Sequence, residues 1–310
     1  EKERNPETTE DDVVIADMFT IRSTQQISDA YLSGDRSGLS DRDRETLDLA
    51  EDVLKEVITD GMTPYEKEKA VYEWMVGHLG NNNGHLLVIP VVGVEEDNPY
   101  GVLKYHSAVC VGYATTFRLF MQMLEIPCKV VHNTERYHSW DLVQLDGNWY
   151  HTDIYSDVNG SLYEHFNLND AMMNASGQTW DTSYFPAATG LEYNPAYLNS
   201  ESGVDIYDLP ARVRAAFDEA PVFLSFLYGN SFTEHDAALV VHMLDQINEF
   251  YAGTEGYETV YVDYSFIPCE AGYLLRISIN GYEDPQEDLT DEELTKADDA
   301  VYEAFQNLYD

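Results

Sequence analysis

The sequence predicts an α+β fold on three observations. Helix-start signals run through the first 125 residues. A hairpin signal with an Asp146-Gly147 turn follows at 140–153. The last third then reads as strand, helix, strand, strand. Helical runs beside antiparallel hairpins are the pattern of that class.

Residues 1–12, EKERNPETTEDD, read as a polar linker, and 13 to about 80 as helical. Ser40 is an N-cap for a helix through Leu47, Leu49, Val53, Leu54 and Val57. Thr63-Pro64-Tyr65-Glu66 places Thr at the N-cap, Pro at N1 and Glu at N3, a helix start with a face of Ala70, Val71, Trp74 and Met75. Asn81-Asn82-Asn83-Gly84 ends that region, and 85–109 is mixed, with an apolar run from Leu86 to Val92. From Cys110 to Glu125 apolar residues cover most of a helix circumference, so this helix belongs inside a core, and Pro127 stops it. Strands follow at 128–132, 140–145 and 148–153. Residues 154–205 read as loop and 206–219 as a connecting helix. The final unit expects strands at 222–228, 258–266 and 273–279 around a helix capped by Thr233, then a helix started by Thr290 and Glu293. The expected division is linker 1–12, core with its leading helices 13–205, and a small C-terminal α+β domain 206–310.

Composition narrows the function. The 57 acidic against 17 basic residues give a formal net charge of −40, which repels nucleic acid and anionic lipid, so neither is an expected partner. The charge suits solubility outside the cell; attraction of cationic substrates is the sharper reading. Cys110, Cys128 and Cys269 include no close pair, which excludes a disulfide scaffold and a Cys-x-x-Cys zinc site, while a Cys128–Cys269 disulfide stays open. No apolar run reaches the ~18 residues that span a bilayer, so no transmembrane segment is expected. The chain begins at Glu1 and reads as a trimmed, exported product of the cell surface or exterior, with any signal or lipid anchor outside it.

The chemistry gathers around Cys110. A thiol attacks as thiolate and needs a base and a positive local potential. Cys110 opens a buried helix, whose N-terminus carries about half a positive charge and N–H groups able to meet an oxyanion. Gly112 permits close approach of another chain or a substrate. His138 and Asp153 supply an imidazole and a carboxylate downstream, in the order Cys, His, Asp. With Asp146 and Gly147 as turn residues, paired positions sum to 293. Asp153 then falls diagonal to His138 on the same sheet face.

Five segments resemble the transglutaminase-like superfamily, a papain-like branch of cysteine enzymes. They are Cys110-Val111-Gly112-Tyr113-Ala114, Ile126-Pro127-Cys128-Lys129-Val130, His138-Ser139-Trp140, 145–153 (LDGNWYHTD) and 62–67 (MTPYEK). The resemblance covers roughly 45–190 and is to bacterial transglutaminase-like peptidases and acyltransferases. It implies a papain-like core, with Cys110 as nucleophile, His138 as base then acid, and Asp153 as orienter. It also implies an upstream oxyanion residue, for which Tyr100 and His106 are candidates. The implied reaction is acyl transfer on a peptide or protein carboxamide, a cell-wall peptide among the options, with no cofactor and no metal. Water as acceptor gives a protease or amidase; a lysine amine gives a crosslink.

Blander readings stand beside these. Cys128 and Cys269 read as inert small hydrophobes. Trp140 reads as a wall of the substrate cleft or as core. His151 reads as structural, on the sheet face opposite His138. His132, His138, His151 and His165 fit no zinc spacing, and 157–160 reads as a plain turn rather than a calcium loop. The acidic tail from Glu283 reads as the solvated side of a helix. Arylamine acetyltransferases differ around the cysteine, and peptide N-glycanases of this fold need paired zinc cysteines absent here. The competing class is a surface binding module whose thiol is occluded by 154–205.

Overall fold

A computed structural model describes residues 13–15, 19–21, 23–81, 96–133, 137–219, 221–254, 260–269, 272–279 and 289–305. The expected linker, Asn82 to Gly84, the run from Leu86 to Val92, the start of the 258–266 strand and the first part of the acidic tail lie outside them. The described residues form an α+β fold in two compact units, Glu1–Tyr193 and Asn194–Asp310.

The first unit opens with strands β1 (Val13–Ile15) and β2 (Phe19–Ile21), paired antiparallel, where the sequence reading expected helix. Adjacent β-branched residues favour the ladder. Helices α1 (Gln25–Ser33), α2 (Asp41–Val57) and α3 (Pro64–His78) follow. The start signals hold: Ser40 accepts from the Asp43 N–H, and Thr63 and Glu66 close a capping box with Pro64 at N1. Short strands β3 (Gly80–Asn81) and β4 (Ser107–Ala108) pair in parallel around α4 (Pro99–Tyr105). The sequence reading left α4 inside a mixed region, although Asn98-Pro99 carries its start: the Asn98 side chain accepts from the Gly101 N–H.

Helix α5 (Cys110–Met123) is buried at every residue from Cys110 to Met121. This is the all-round burial that its apolar circumference predicts. Against it stands the antiparallel sheet of β5 (Cys128–Asn133), β6 (His138–Leu145) and β7 (Asn148–Thr152), with β6 in the middle. Leu145 faces Asn148 and Asp141 faces Thr152, so every β6–β7 pair sums to 293, as the turn predicts. Asp146 and Gly147 both have positive φ, 48° and 88°, the geometry of a type I′ turn. Beyond β7, the stretch expected to be loop holds α6 (Ile154–Asn159) and α7 (Asp170–Ala175). Their caps are Asp153 and Asn169, each accepting from a backbone N–H three residues on.

The second unit has α8 (Pro195–Leu198), β8 (Glu201–Ser202), α9 (Leu209–Glu219), β9 (Leu224–Tyr228), α10 (Glu234–Ala252), β10 (Val262–Cys269), β11 (Gly272–Ile279) and α11 (Asp291–Phe305). The sheet order is β10-β11-β9-β8. Thr233 and Thr290 cap their helices as expected. Val240, Met243, Leu244 and Ile247 of α10 bury against Leu275 and Ile277 of β11 and Val301 and Phe305 of α11, forming that unit's own core.

Candidate active site

Cys110 occupies the first position of α5, with Val109 as N-cap. The Val109 N–H is bonded to the Glu96 carbonyl at 3.1 Å. Gly112 and Tyr113 donate back to the Val109 carbonyl, while the N–H groups of Cys110 and Val111 have no acceptor among the described residues. Two backbone donors therefore point out of the helix end beside the thiol. Gly112 is required by that packing: a Cβ there would lie 1.8 Å from the Glu96 carbonyl oxygen. The group making the close approach is thus the chain's own backbone.

His138 begins β6, and Asp153 stands just past the end of β7. His138 Nε2 lies 2.6 Å from Asp153 Oδ2. The Cys110 side chain lies near enough to the imidazole to favour its charged form. With Nε2 committed to Asp153, Nδ1 is the nitrogen left for the thiol. The Cys110 Sγ also lies 3.7 Å from the Tyr137 carbonyl. Burial opposes a charged imidazole, but Asp153 and then Cys110 outweigh it and raise the His138 pKa to about 10. Burial likewise opposes the Asp153 carboxylate. His138, His165 and Ser156 outweigh it, and the Asp153 pKa is lowered.

Asp153 is also the N-cap of α6. Its Oδ1 accepts from the Ser156 N–H at 3.1 Å and its Oδ2 from the Ser156 hydroxyl at 2.7 Å. Its own N–H donates to the His165 carbonyl at 2.8 Å. The carboxylate is thus held at both oxygens.

Trp140 is 1% exposed, so it is a buried floor rather than the wall of an open cleft. Its ring stacks on His138, centroids 5.8 Å apart at 25°. The expected place of His151 is corrected. It pairs with Leu142, on the face shared by His138 and Trp140, and its Nδ1 accepts from Trp140 Nε1 at 2.9 Å. The reason is strand alternation: His151 and Asp153 are two residues apart and project the same way.

The structure does not bring the two upstream oxyanion candidates to the thiol through any described contact. The Tyr100 hydroxyl accepts from Lys104 at 2.6 Å and donates to Glu45 at 3.2 Å, on the surface between α4 and α2. His106 is the left-handed C-cap of α4, with its ring edge-on to Trp74.

Sequence reasoning missed Tyr155. Its ring lies 5.5 Å from His138 and 6.1 Å from Tyr113. Burial, then the charges of Cys110 and Asp153, raise its pKa. Its signal was its place in the first turn of a helix capped by Asp153. The expected turn at 157–160 is corrected to the end of α6, where buried Asp157 accepts from His165 Nδ1 at 2.9 Å and from the Tyr72 hydroxyl. His132 pairs with Ser139 at 2.8 Å. No group of three or more metal-ligating side chains comes together among the described residues. Cys110, Cys128 and Cys269 are free thiols. Cys128 donates to buried Asp141 at 3.3 Å.

Comparison with known proteins finds a family model that matches the stretch holding this site. Residues 51–154, which hold Cys110, His138 and Asp153, match the model of the transglutaminase-like superfamily. No curated protein matches the chain. A solved structure described as "Crystal structure of a TGase" is similar at 18% identity with a TM-score of 0.31; the match covers 50% of this chain and 40% of that one.

Proposed function

We propose, from the match of residues 51–154 to the transglutaminase-like superfamily, that the protein is a cysteine-dependent acyl-transfer enzyme acting on peptide or protein carboxamides, most simply as a hydrolase. The observation that carries this reading is His138 held at 2.6 Å by Asp153, with its charged form favoured by Cys110 at the first position of α5.

The Cys110 thiolate attacks the carboxamide carbon, and the oxyanion takes the N–H groups of Cys110 and Val111. The tetrahedral species collapses as the His138 imidazolium protonates the departing amine or ammonia, leaving a thioester and a neutral imidazole. Water then attacks the thioester, His138 removes its proton, and Cys110 leaves as thiolate with the carboxylic acid released. An amine in place of water gives transamidation. Asp153 stays ionised and keeps Nε2 committed, so Nδ1 does the proton transfers. An extracellular setting, supported by the charge of −40, and a cell-wall peptide as one substrate option belong to the same proposal.

One observation favours a second reading. Cys110 is only 2% exposed, which suits a binding module with a closed cleft. Thiol alkylation separates the two. Under the enzyme reading, Cys110 reacts with iodoacetamide faster than a free cysteine near neutral pH, and His138→Ala removes the advantage. Ammonia release and amine incorporation on glutamine-amide peptides should both vanish in Cys110→Ala. A signal that survives that substitution sinks the mechanism.

A further inference from the structure

A second histidine–carboxylate pair lies behind His138, and the mechanism above gives it no task. Trp140 Nε1 lies 2.9 Å from His151 Nδ1, and His151 Nε2 lies 2.9 Å from Asp170 Oδ1. An indole N–H only donates, so Nδ1 must be the acceptor and Nε2 must carry the proton to Asp170. His151 is 0% exposed, and burial, partly offset by Asp170, lowers its pKa, so the neutral ring is the favoured form. The Asp170 carboxylate is fixed in turn by the Ala188 N–H at 3.1 Å. Trp180 closes over the pair, its ring centroid 4.4 Å from that of His151 and 6.0 Å from that of Trp140.

A buried tryptophan needs a single acceptor, and a backbone carbonyl would serve. Here a fully buried imidazole, backed by a part-exposed carboxylate, satisfies it, at a desolvation cost that packing alone does not require. The Trp140 ring is the one stacked on His138. Asp153 fixes one nitrogen of His138, but a single hydrogen bond does not by itself set the tilt of a ring about that bond. A locked indole beside it removes that freedom.

We propose that His151 and Asp170 are positioning residues, which hold Trp140 as a platform that keeps the His138 ring aligned between Asp153 and Cys110. The proposal rests on the acyl-transfer reading. Rings held in reactive geometry raise the rate of the chemical step more than they raise binding.

The test uses two isosteric substitutions in the full chain. In His151→Asn, Oδ1 falls near the place of Nδ1 and can still accept from Trp140; in His151→Leu nothing can. The readouts are kcat and KM on a glutamine-amide peptide, the rate of Cys110 alkylation by iodoacetamide, and Tm. His151→Leu should lower kcat and the alkylation rate about tenfold with KM within about twofold, and His151→Asn should stay within about threefold of the parent. Equal losses in both variants, or none in either, overturn the proposal. Nitrogen NMR of the parent protein keeps it falsifiable if His151→Leu fails to fold. His151 should show a bare Nδ1 and a protonated Nε2; the opposite tautomer or an imidazolium overturns it. This readout needs no turnover. An unreactive Cys110 with the expected tautomer would sink the acyl-transfer reading, and with it the role of the pair in positioning, while leaving the hydrogen-bond chain intact.

Discussion

Asp153 does two jobs with one carboxylate: it caps α6 through Ser156 and holds His138. Asp153→Asn keeps a cap acceptor but removes the charge that raises the His138 pKa. His138 should therefore keep its proton through neutral pH in the parent and lose it near pH 10, whereas in Asp153→Asn its titration moves down toward the ordinary imidazole range. Proton NMR of the imidazole checks this, and kcat should fall by roughly 10³-fold or more, by analogy with other triads. Glu68 is a second residue-scale case. It is fully buried on α3, accepts from Asn167 at 3.0 Å, and burial raises its pKa from 4.5 to about 8. Its folded form binds a proton that the unfolded chain has released between those values, so its contribution is full below pH 4.5 and falls as pH rises toward 8. The loss is on the order of a few kcal/mol. Glu68→Gln should flatten the stability-against-pH curve in this window, read from urea unfolding at a series of pH values. An unchanged slope would mean that Glu68 is not the group responsible.

At the scale of elements, much of the site was legible because local rules decide it. The Asp146-Gly147 turn sets the register by its backbone twist, and the register sets which residues share a face. The register alone places Asp153 beside His138. The same alternation puts His151 on that face too, against the expectation that it projects from the other. What was not legible depends on contacts distant in sequence. Nothing near Tyr100 or His106 tells that one hydroxyl is taken by Glu45 and Lys104 and the other ring by Trp74. Nor does Gly112 announce that the backbone of Glu96 sits against it. Gly112→Ala tests that contact. A Cβ 1.8 Å from a carbonyl oxygen must push two backbones apart. We expect a loss of about 3 kcal/mol or more in denaturant unfolding, the upper end for overpacking. Alkylation of Cys110 should slow as well, because Gly112 lies in the first turn beside the thiol. A neutral substitution would show that Glu96 yields easily.

Over the whole molecule, the charge of −40 is the largest physical fact that the site does not explain. Several of the few cations are already paired: Arg36 with Asp48 and Glu51, Arg44 with Asp41, Lys104 with Glu45. Exposed pairs of this kind contribute ~0–1 kcal/mol each, so they do not offset the repulsion among the remaining carboxylates. Unfolding spreads those charges apart, and the folded state therefore carries a repulsive cost that screening reduces. The Debye length shrinks from about 30 Å at ~0.01 M salt to about 8 Å at ~0.15 M. Tm should rise by several degrees over that range, equally in sodium chloride and potassium chloride. A Tm that stays flat or falls would mean that the carboxylates lie too far apart, or titrate too high, to repel. The same field acts on encounter with substrate. If the proposed acyl-transfer activity extends to lysine-rich peptides, kcat/KM should drop steeply with salt while kcat holds. For an uncharged glutamine-amide peptide neither should move, because only a charged partner is steered by the field.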